Sequence, residues 1–208
     1  MAKEYERKFI FKGGRKAAED FLKQMKRVRK QPIDQCYFVE QAADILFDWL
    51  KQVWVIQLNK SDLCLEVKAL DKELDQLYNI IHHVDGNLIN IHGSSFRLRK
   101  KKGKFLFTAK FIDDDEFEYE LDMADDTYIL WESLLAPVSK LRHVFKFNEH
   151  TRELDLFNKI KTPDHLLEIE FETLEEKNAF VPEDFLIEVT GQKQYSNKFI
   201  AISNSKFA

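Results

Sequence analysis

An α+β fold, antiparallel strands with a few covering helices, is what the 208-residue sequence predicts, and three observations carry the prediction. Short segments in which apolar residues alternate with charges recur along the chain, the two-residue period of a strand whose side chains point to opposite faces. Between them lie segments whose apolar residues recur at three- and four-residue spacing, the period of an amphipathic helix. A composition of 44% apolar and 33% charged residues, with 18 Phe against 6 Gly and 4 Pro, fits a packed, soluble domain rather than a disordered chain.

The first strand is Glu4-Tyr5-Glu6-Arg7-Lys8-Phe9. It sets Glu4, Glu6 and Lys8 on one face and Tyr5, Arg7 and Phe9 on the other. Gly13-Gly14 breaks that pattern, and Ala17, Ala18, Phe21, Leu22, Met25 and Val28 then space as a helix. Its basic tail, Lys26 to Lys30, is favoured at a helix C-terminus and ends near Pro32. A short strand spans Ile33 to Phe38. Ala42 to Trp54 reads as a helix, Leu63 to Val67 as a strand, and Leu74, Leu77, Tyr78 and Ile81 as a helix that ends near His82-His83; Asp85-Gly86 marks a turn. Adjacent histidines diverge on either kind of element, so that pair reads as structural or exposed rather than metal-binding.

From Ser94 onward the alternation is regular. Phe96 to Arg99 and Phe105 to Phe111 form a hairpin about Lys101-Lys102-Gly103-Lys104, and Phe117 to Leu121 is another strand. A helix spans Asp126 to Leu135. Lys140 to Phe147 and Glu153 to Phe157 are strands around the polar turn Asn148 to Thr151, and Leu166 to Phe171 alternates again. A short helix over Thr173 to Phe180, a strand over Phe185 to Thr190 and a final helix over Tyr195 to Ser203 complete the chain.

The formal net charge of −4 argues against general nucleic-acid binding, which shows as a basic excess. Cys36 and Cys64 form neither metal-ligand spacing nor a disulfide framework, and read as two buried thiols in a reducing compartment. No signal-peptide pattern fits the charged N-terminus and no apolar run approaches the roughly 18 residues of a membrane span. The expected location is the cytoplasm, with no membrane partner.

Gathered together, the charges on the alternating faces are both acidic and basic. Eight or so strands that each carry one apolar and one charged face either stay as an open sheet under helices or close into a barrel with the charges inside. Charges inside need partners, because an unpaired buried charge is among the costliest features of a fold. Clustered Arg and Lys suit a phosphate chain, and clustered carboxylates are hard oxygen ligands for Mg²⁺ or Mn²⁺. The mixture predicts a metal-dependent triphosphate site.

The ordered motifs Glu4-x-Glu6-x-Lys8, Arg97-Leu-Arg99, Thr108-Ala-Lys110, Glu118-x-Glu120, Lys140-x-Arg142, Asp155, Glu168-Ile-Glu170 and Glu188-Val-Thr-Gly191 followed by Tyr195-Ser-Asn197 resemble the CYTH, or triphosphate tunnel metalloenzyme, superfamily. The resemblance covers residues 3 to 38 and 94 to about 203. It implies a single domain over residues 1–208, an eight-stranded antiparallel β-barrel tunnel with covering helices, and hydrolysis of a triphosphate with one or two Mg²⁺ or Mn²⁺ ions. By the same resemblance Lys8, Arg97, Arg99, Lys110, Lys140 and Arg142 would bind phosphates. Glu4, Glu6, Glu168 and Glu170 would bind metal. Glu4 and Glu6 would position the attacking water, with Lys8 counted among the catalytic residues. Glu118, Glu120, Asp155 and Glu188 would support the site or orient basic neighbours through salt bridges, and Lys193 or Lys198 would add a phosphate contact. Residues 41–90 depart from the compact bacterial members of that family, as a lid, a dimerisation element or a specificity insert. Inorganic tripolyphosphate leads as substrate, ahead of the class IV adenylate cyclase and thiamine triphosphatase readings. A non-catalytic module that binds polyphosphate or nucleotide is the alternative of another class.

Overall fold

The computed structural model describes residues 5–40, 42–59, 62–69, 71, 74–81, 87–90, 94–112 and 116–206. Glu4, the His82-His83 pair and the Asp85-Gly86 turn lie outside them. In chain order the elements are β1 (Tyr5–Phe11), α1 (Gly14–Leu22), β2 (Arg29–Tyr37), β3 (Ala43–Asp48), β4 (Val53–Leu58), β5 (Cys64–Lys68), α2 (Leu74–Ile81), β6 (Ser95–Lys101), β7 (Lys104–Ile112), β8 (Glu116–Asp122), α3 (Asp125–Glu132), β9 (Ala136–Phe147), β10 (His150–Phe157), β11 (His165–Phe171), α4 (Leu174–Ala179), β12 (Leu186–Glu188) and α5 (Asn197–Ser203). Single 3₁₀ turns span Leu88–Asn90 and Lys193–Tyr195.

The fold is α+β with antiparallel pairing, as the alternation predicts. Its larger sheet has the order β12-β1-β11-β10-β9-β2-β6-β7-β8. That is nine strands, open at β12 and β8, which corrects the expected eight-stranded closed barrel. The last strand, β12, is three residues long, shorter than the expected Phe185 to Thr190, and hydrogen-bonds to β1 on the side away from β11. The chain gathers into two compact units, residues 35–137 with 205–208, and residues 2–34 with 138–204.

The first unit holds β6, β7 and β8 as an antiparallel run, and β3, β4 and β5 as a separate three-stranded sheet. The β6–β7 hairpin turns on Lys102 and Gly103, both at positive φ, the conformation that matches the twist of a two-residue hairpin. Trp54 of β4 is fully buried, with ring centroids 5.6, 6.0 and 5.9 Å from Phe96, Phe107 and Phe111. Trp131 of α3 packs on Phe38, while Trp49 lies against Phe47 and Tyr78. Two expectations are corrected in this unit. Ala42 to Trp54 is not a helix but β3, a turn at Trp49–Gln52, and the start of β4. Ala43 and Ile45 are buried while Asp44 and Leu46 are exposed, an alternation continued by the β-branched residues of β4. Cys36 is buried as expected, but Cys64 is exposed.

The second unit holds β12, β1, β11, β10 and β9 in that order. Phe21 of α1 meets Phe11, Phe145, Phe147 and Phe185 within 6.0 Å, which fixes the helix over the apolar side of the strands. This helix ends at Leu22, earlier than its periodicity suggests; Lys26 to Lys30 form a connection and the first residues of β2 instead of a helix tail. Two later helices start on side-chain caps: Thr173 Oγ1 accepts from Glu176 N at 3.1 Å, and Ser196 Oγ accepts from Phe199 N at 3.1 Å.

Candidate functional site

Register builds the charged face of the second unit. Lys8 lies opposite Glu168, Glu168 opposite Glu153, and Asp155 opposite Arg142. Since alternate residues share a face, Glu6, Lys8, Lys140, Arg142, Glu153, Asp155, Glu168 and Glu170 fall on one side of β1, β11, β10 and β9. Phe9, Phe145, Leu154, Leu167 and Ile169 fall on the other, in the apolar core.

The charged groups form a connected network. Lys8 Nζ lies 3.0 Å from Glu6 Oε1 and 3.2 Å from Glu168 Oε1. Glu168 Oε2 accepts from Arg142 Nη2 at 2.6 Å. Arg142 grips Asp155 with two parallel bonds, Nε to Oδ1 at 2.7 Å and Nη2 to Oδ2 at 2.8 Å, and also pairs with Glu153. Lys140 Nζ donates to Asp155 Oδ2 at 2.5 Å and to Asn197 Oδ1 at 3.0 Å. Asp155 is wholly buried and Lys140 and Glu168 nearly so, a placement sustained only because each finds an opposite charge.

Protonation follows from this packing. Burial alone would raise the Glu168 carboxyl, but Lys8, Arg142 and Lys140 outweigh it and hold the group well below the usual carboxylate range. Burial pulls Lys8 down, and Glu168 and Glu6 more than offset it, so its ammonium stays charged. Lys140 behaves differently. Burial, reinforced by Arg142, prevails over Asp155 and lowers it to about 8.

The first unit carries a second charged cluster. Arg97 Nη2 donates to Glu118 Oε1 at 2.6 Å and Arg99 Nη1 to Glu120 Oε1 at 2.7 Å, across the intervening strand β7. Burial would raise Glu118, but Arg97, Arg99 and Lys110 outweigh it and hold its carboxyl below the usual range. Burial lowers Arg99 and Arg97 adds to the effect. For Arg97 the pull of burial is exceeded by Tyr37 and Glu118.

The predicted residues therefore divide between two clusters, each within one unit. Glu6, Lys8, Lys140, Arg142, Asp155 and Glu168 come together in the second unit, with Glu170 exposed on the same face; Arg97, Arg99, Lys110, Glu118 and Glu120 do so in the first. Glu188 turns elsewhere: its oxygens accept from Arg7 Nε at 2.8 Å and Nη2 at 2.5 Å, on the face of β1 that also carries Phe9. Lys193 is exposed in its 3₁₀ turn and Lys198 half-buried on α5. Sequence reasoning missed Glu153, although Glu153-x-Asp155 repeats the charge-x-charge signal seen on other strands. Lys140's bond to Asn197 and Arg97's neighbour Tyr37 had no signal, since both depend on which elements meet.

The donor set suits a hard divalent cation. Glu6, Glu168 and Glu170 offer only carboxylate oxygens, and Glu6 and Glu170 stand directly opposite in the β1–β11 register, with Lys8 Nζ 3.0 Å from Glu6 Oε1. Among the described residues no group of three or more His, Cys, Asp or Glu is gathered to hold an ion, and Glu168 is paired with Lys8 and Arg142.

No protein-family model matches the chain, and no curated protein matches it. Among solved structures it is similar to the crystal structure of the inorganic triphosphatase NE1496, with TM-score 0.53 and 19% identity over 97% of this chain and 96% of that one. A second crystal structure of NE1496 gives TM-score 0.54 and 19% identity over 97% of this chain and 99% of that one. At that identity the likeness is one of fold. No helix among the described residues is long and apolar enough to cross a membrane.

Proposed function

We propose that this protein is a metal-dependent triphosphatase that hydrolyses inorganic tripolyphosphate or a related organic triphosphate in the cytoplasm. The observation that carries this reading is the buried network of Lys8, Lys140 and Arg142 locked onto Glu6, Asp155 and Glu168. Its cations are ready partners for phosphate oxygens, and its acids are oxygen donors for a divalent ion. The similarity in fold to a protein known as an inorganic triphosphatase supports the same class of chemistry.

Lys8, Lys140 and Arg142 would bind and orient phosphoryl oxygens, Arg142 through the planar fork it now presents to Asp155. By the same chemistry Arg97, Arg99 and Lys110 of the first unit are candidate phosphate ligands within their own cluster. Glu4, Glu6, Glu168 and Glu170 would hold Mg²⁺ or Mn²⁺, which supplies positive charge against the developing charge of the phosphoryl oxygens. Glu4 and Glu6 would also orient the attacking water. Asp155, Glu118 and Glu120 keep the basic groups in place, which favours their supporting role.

The test measures phosphate release, and cyclic AMP formation, from tripolyphosphate, ATP and thiamine triphosphate with Mg²⁺ or Mn²⁺. Tripolyphosphate is expected to turn over fastest. Tight triphosphate binding with no turnover of any substrate would favour a non-catalytic binding module, and cyclic AMP from ATP would favour a cyclase. Arg97→Ala should weaken tripolyphosphate binding about 10- to 100-fold, the size of a lost charge-assisted hydrogen bond, as read by calorimetry. Unchanged affinity would remove Arg97 from the site.

A further inference from the structure

On β2 and β6 three buried polar atoms have no hydrogen-bond partner among the described residues: Gln35 Oε1, Arg97 Nε and Arg99 Nε. Gln35 is only 3% exposed. Buried polar groups are nearly always paired, so three orphans on the neighbouring strands β2 and β6 call for a missing partner. They share a face. Gln35 Nε2 donates to the Tyr37 hydroxyl at 3.1 Å, and the same hydroxyl oxygen accepts a side-chain hydrogen bond from Arg97. Phe38 N donates to Phe96 O at 3.1 Å, which brings Tyr37 of β2 alongside Arg97 of β6, and Arg99 follows two residues along on the same face.

The orphans are not of one kind. Each arginine Nε offers a proton, whereas Gln35 Oε1 offers a lone pair, so no single ion satisfies all three as they stand. A carboxamide presents oxygen and nitrogen in nearly the same shape, and turning it end for end exchanges them. Gln35 Oε1 then accepts from the Tyr37 O–H, and Nε2 points two N–H donors where the oxygen was. After that turn all three groups are hydrogen-bond donors, the chemistry an oxyanion takes.

We propose that Gln35 is a phosphate-contacting, specificity-determining residue, whose amide reverses to donate to an oxyanion that the Nε–H groups of Arg97 and Arg99 also address. The inference rests on the triphosphate reading above and adds to it a neutral donor on β2. As a neutral donor, Gln35 rewards a fully deprotonated phosphoryl oxygen but adds no charge to a crowded cationic cluster. A carboxylate in its place would present only acceptors and repel the anion.

The experiment titrates the full chain with inorganic tripolyphosphate by calorimetry, with EDTA present, for the wild type, Gln35→Met and Gln35→Glu. Methionine keeps the length and volume of the side chain without its hydrogen bonds, and circular dichroism checks that each variant is folded. Gln35→Met is expected to weaken binding about 5- to 10-fold, the scale of one hydrogen bond to a charged group, and Gln35→Glu by at least a further factor of about 10. Folded variants that bind as tightly as the wild type would overturn the assignment while leaving the triphosphate reading intact. A wild type that binds no tripolyphosphate either in EDTA or with Mg²⁺ in its place would instead overturn that reading, and the role of Gln35 with it.

Discussion

Glu168 is held by two cations from two different strands, Lys8 of β1 and Arg142 of β9. Removing it strands both. Glu168→Ala is expected to abolish metal-dependent phosphate release; near-normal turnover would mean that the metal site lies elsewhere. The same carboxylate sets an acid limit on stability. Its folded value lies below the ordinary 4.5 of a glutamate, and Asp155 is lowered too, against burial, by Lys140 and Arg142. As pH falls the unfolded chain therefore takes up protons first, so the stability these groups supply is complete above the ordinary carboxylate range and drains below it. Melting temperature in EDTA should fall steadily between about pH 5 and pH 3, with a shallower slope for Glu168→Gln. Equal slopes would mean that Glu168 is not held low. At this scale much of the site was legible, because a charge repeated at i and i+2 on a strand announces a shared face. What was not legible is pairing across the sheet. Glu188 shares the repeated pattern yet serves Arg7, because β12 adds to the outer side of β1, a position that no local spacing encodes.

Among the elements, β4 shows where periodicity misleads. The run Ala42 to Trp54 holds apolar residues at both helical and alternate spacings, and its helix reading failed because burial alternates over Ala43 to Leu46 of β3 and the chain reverses at Gln52, which has positive φ. Tertiary packing decided the matter. Trp54 closes the core of the first unit against three phenylalanines, so Trp54→Ala should cost about 3–5 kcal/mol, measured as a lower urea midpoint at constant slope. A loss below about 1 kcal/mol would show that this core is not held through Trp54. Strands β7 and β11 were read to within one residue at each end, since each alternates without ambiguity, whereas β10 begins at His150, three residues before the expected Glu153, inside what read as a polar turn.

For the molecule as a whole, class and pairing sense were legible and closure was not. Alternation implies antiparallel strands under helices, but whether the last strand returns to the first is decided by strand order, and here β12 and β8 remain the ends of a nine-stranded series. The charge balance also acts at this scale. With net charge −4, and its basic groups paired to acids, the protein should leave duplex DNA unshifted on a gel at about 0.15 M salt. A complex formed at low micromolar protein would contradict that.

All three tryptophans, Trp49, Trp54 and Trp131, belong to residues 35–137. Intrinsic indole fluorescence is thus a private reporter of one half of the chain. Indole emission followed through a ligand or acid titration thus reads the surroundings of these three rings, while tyrosine absorbance and backbone dichroism read the chain more widely, all without added dyes.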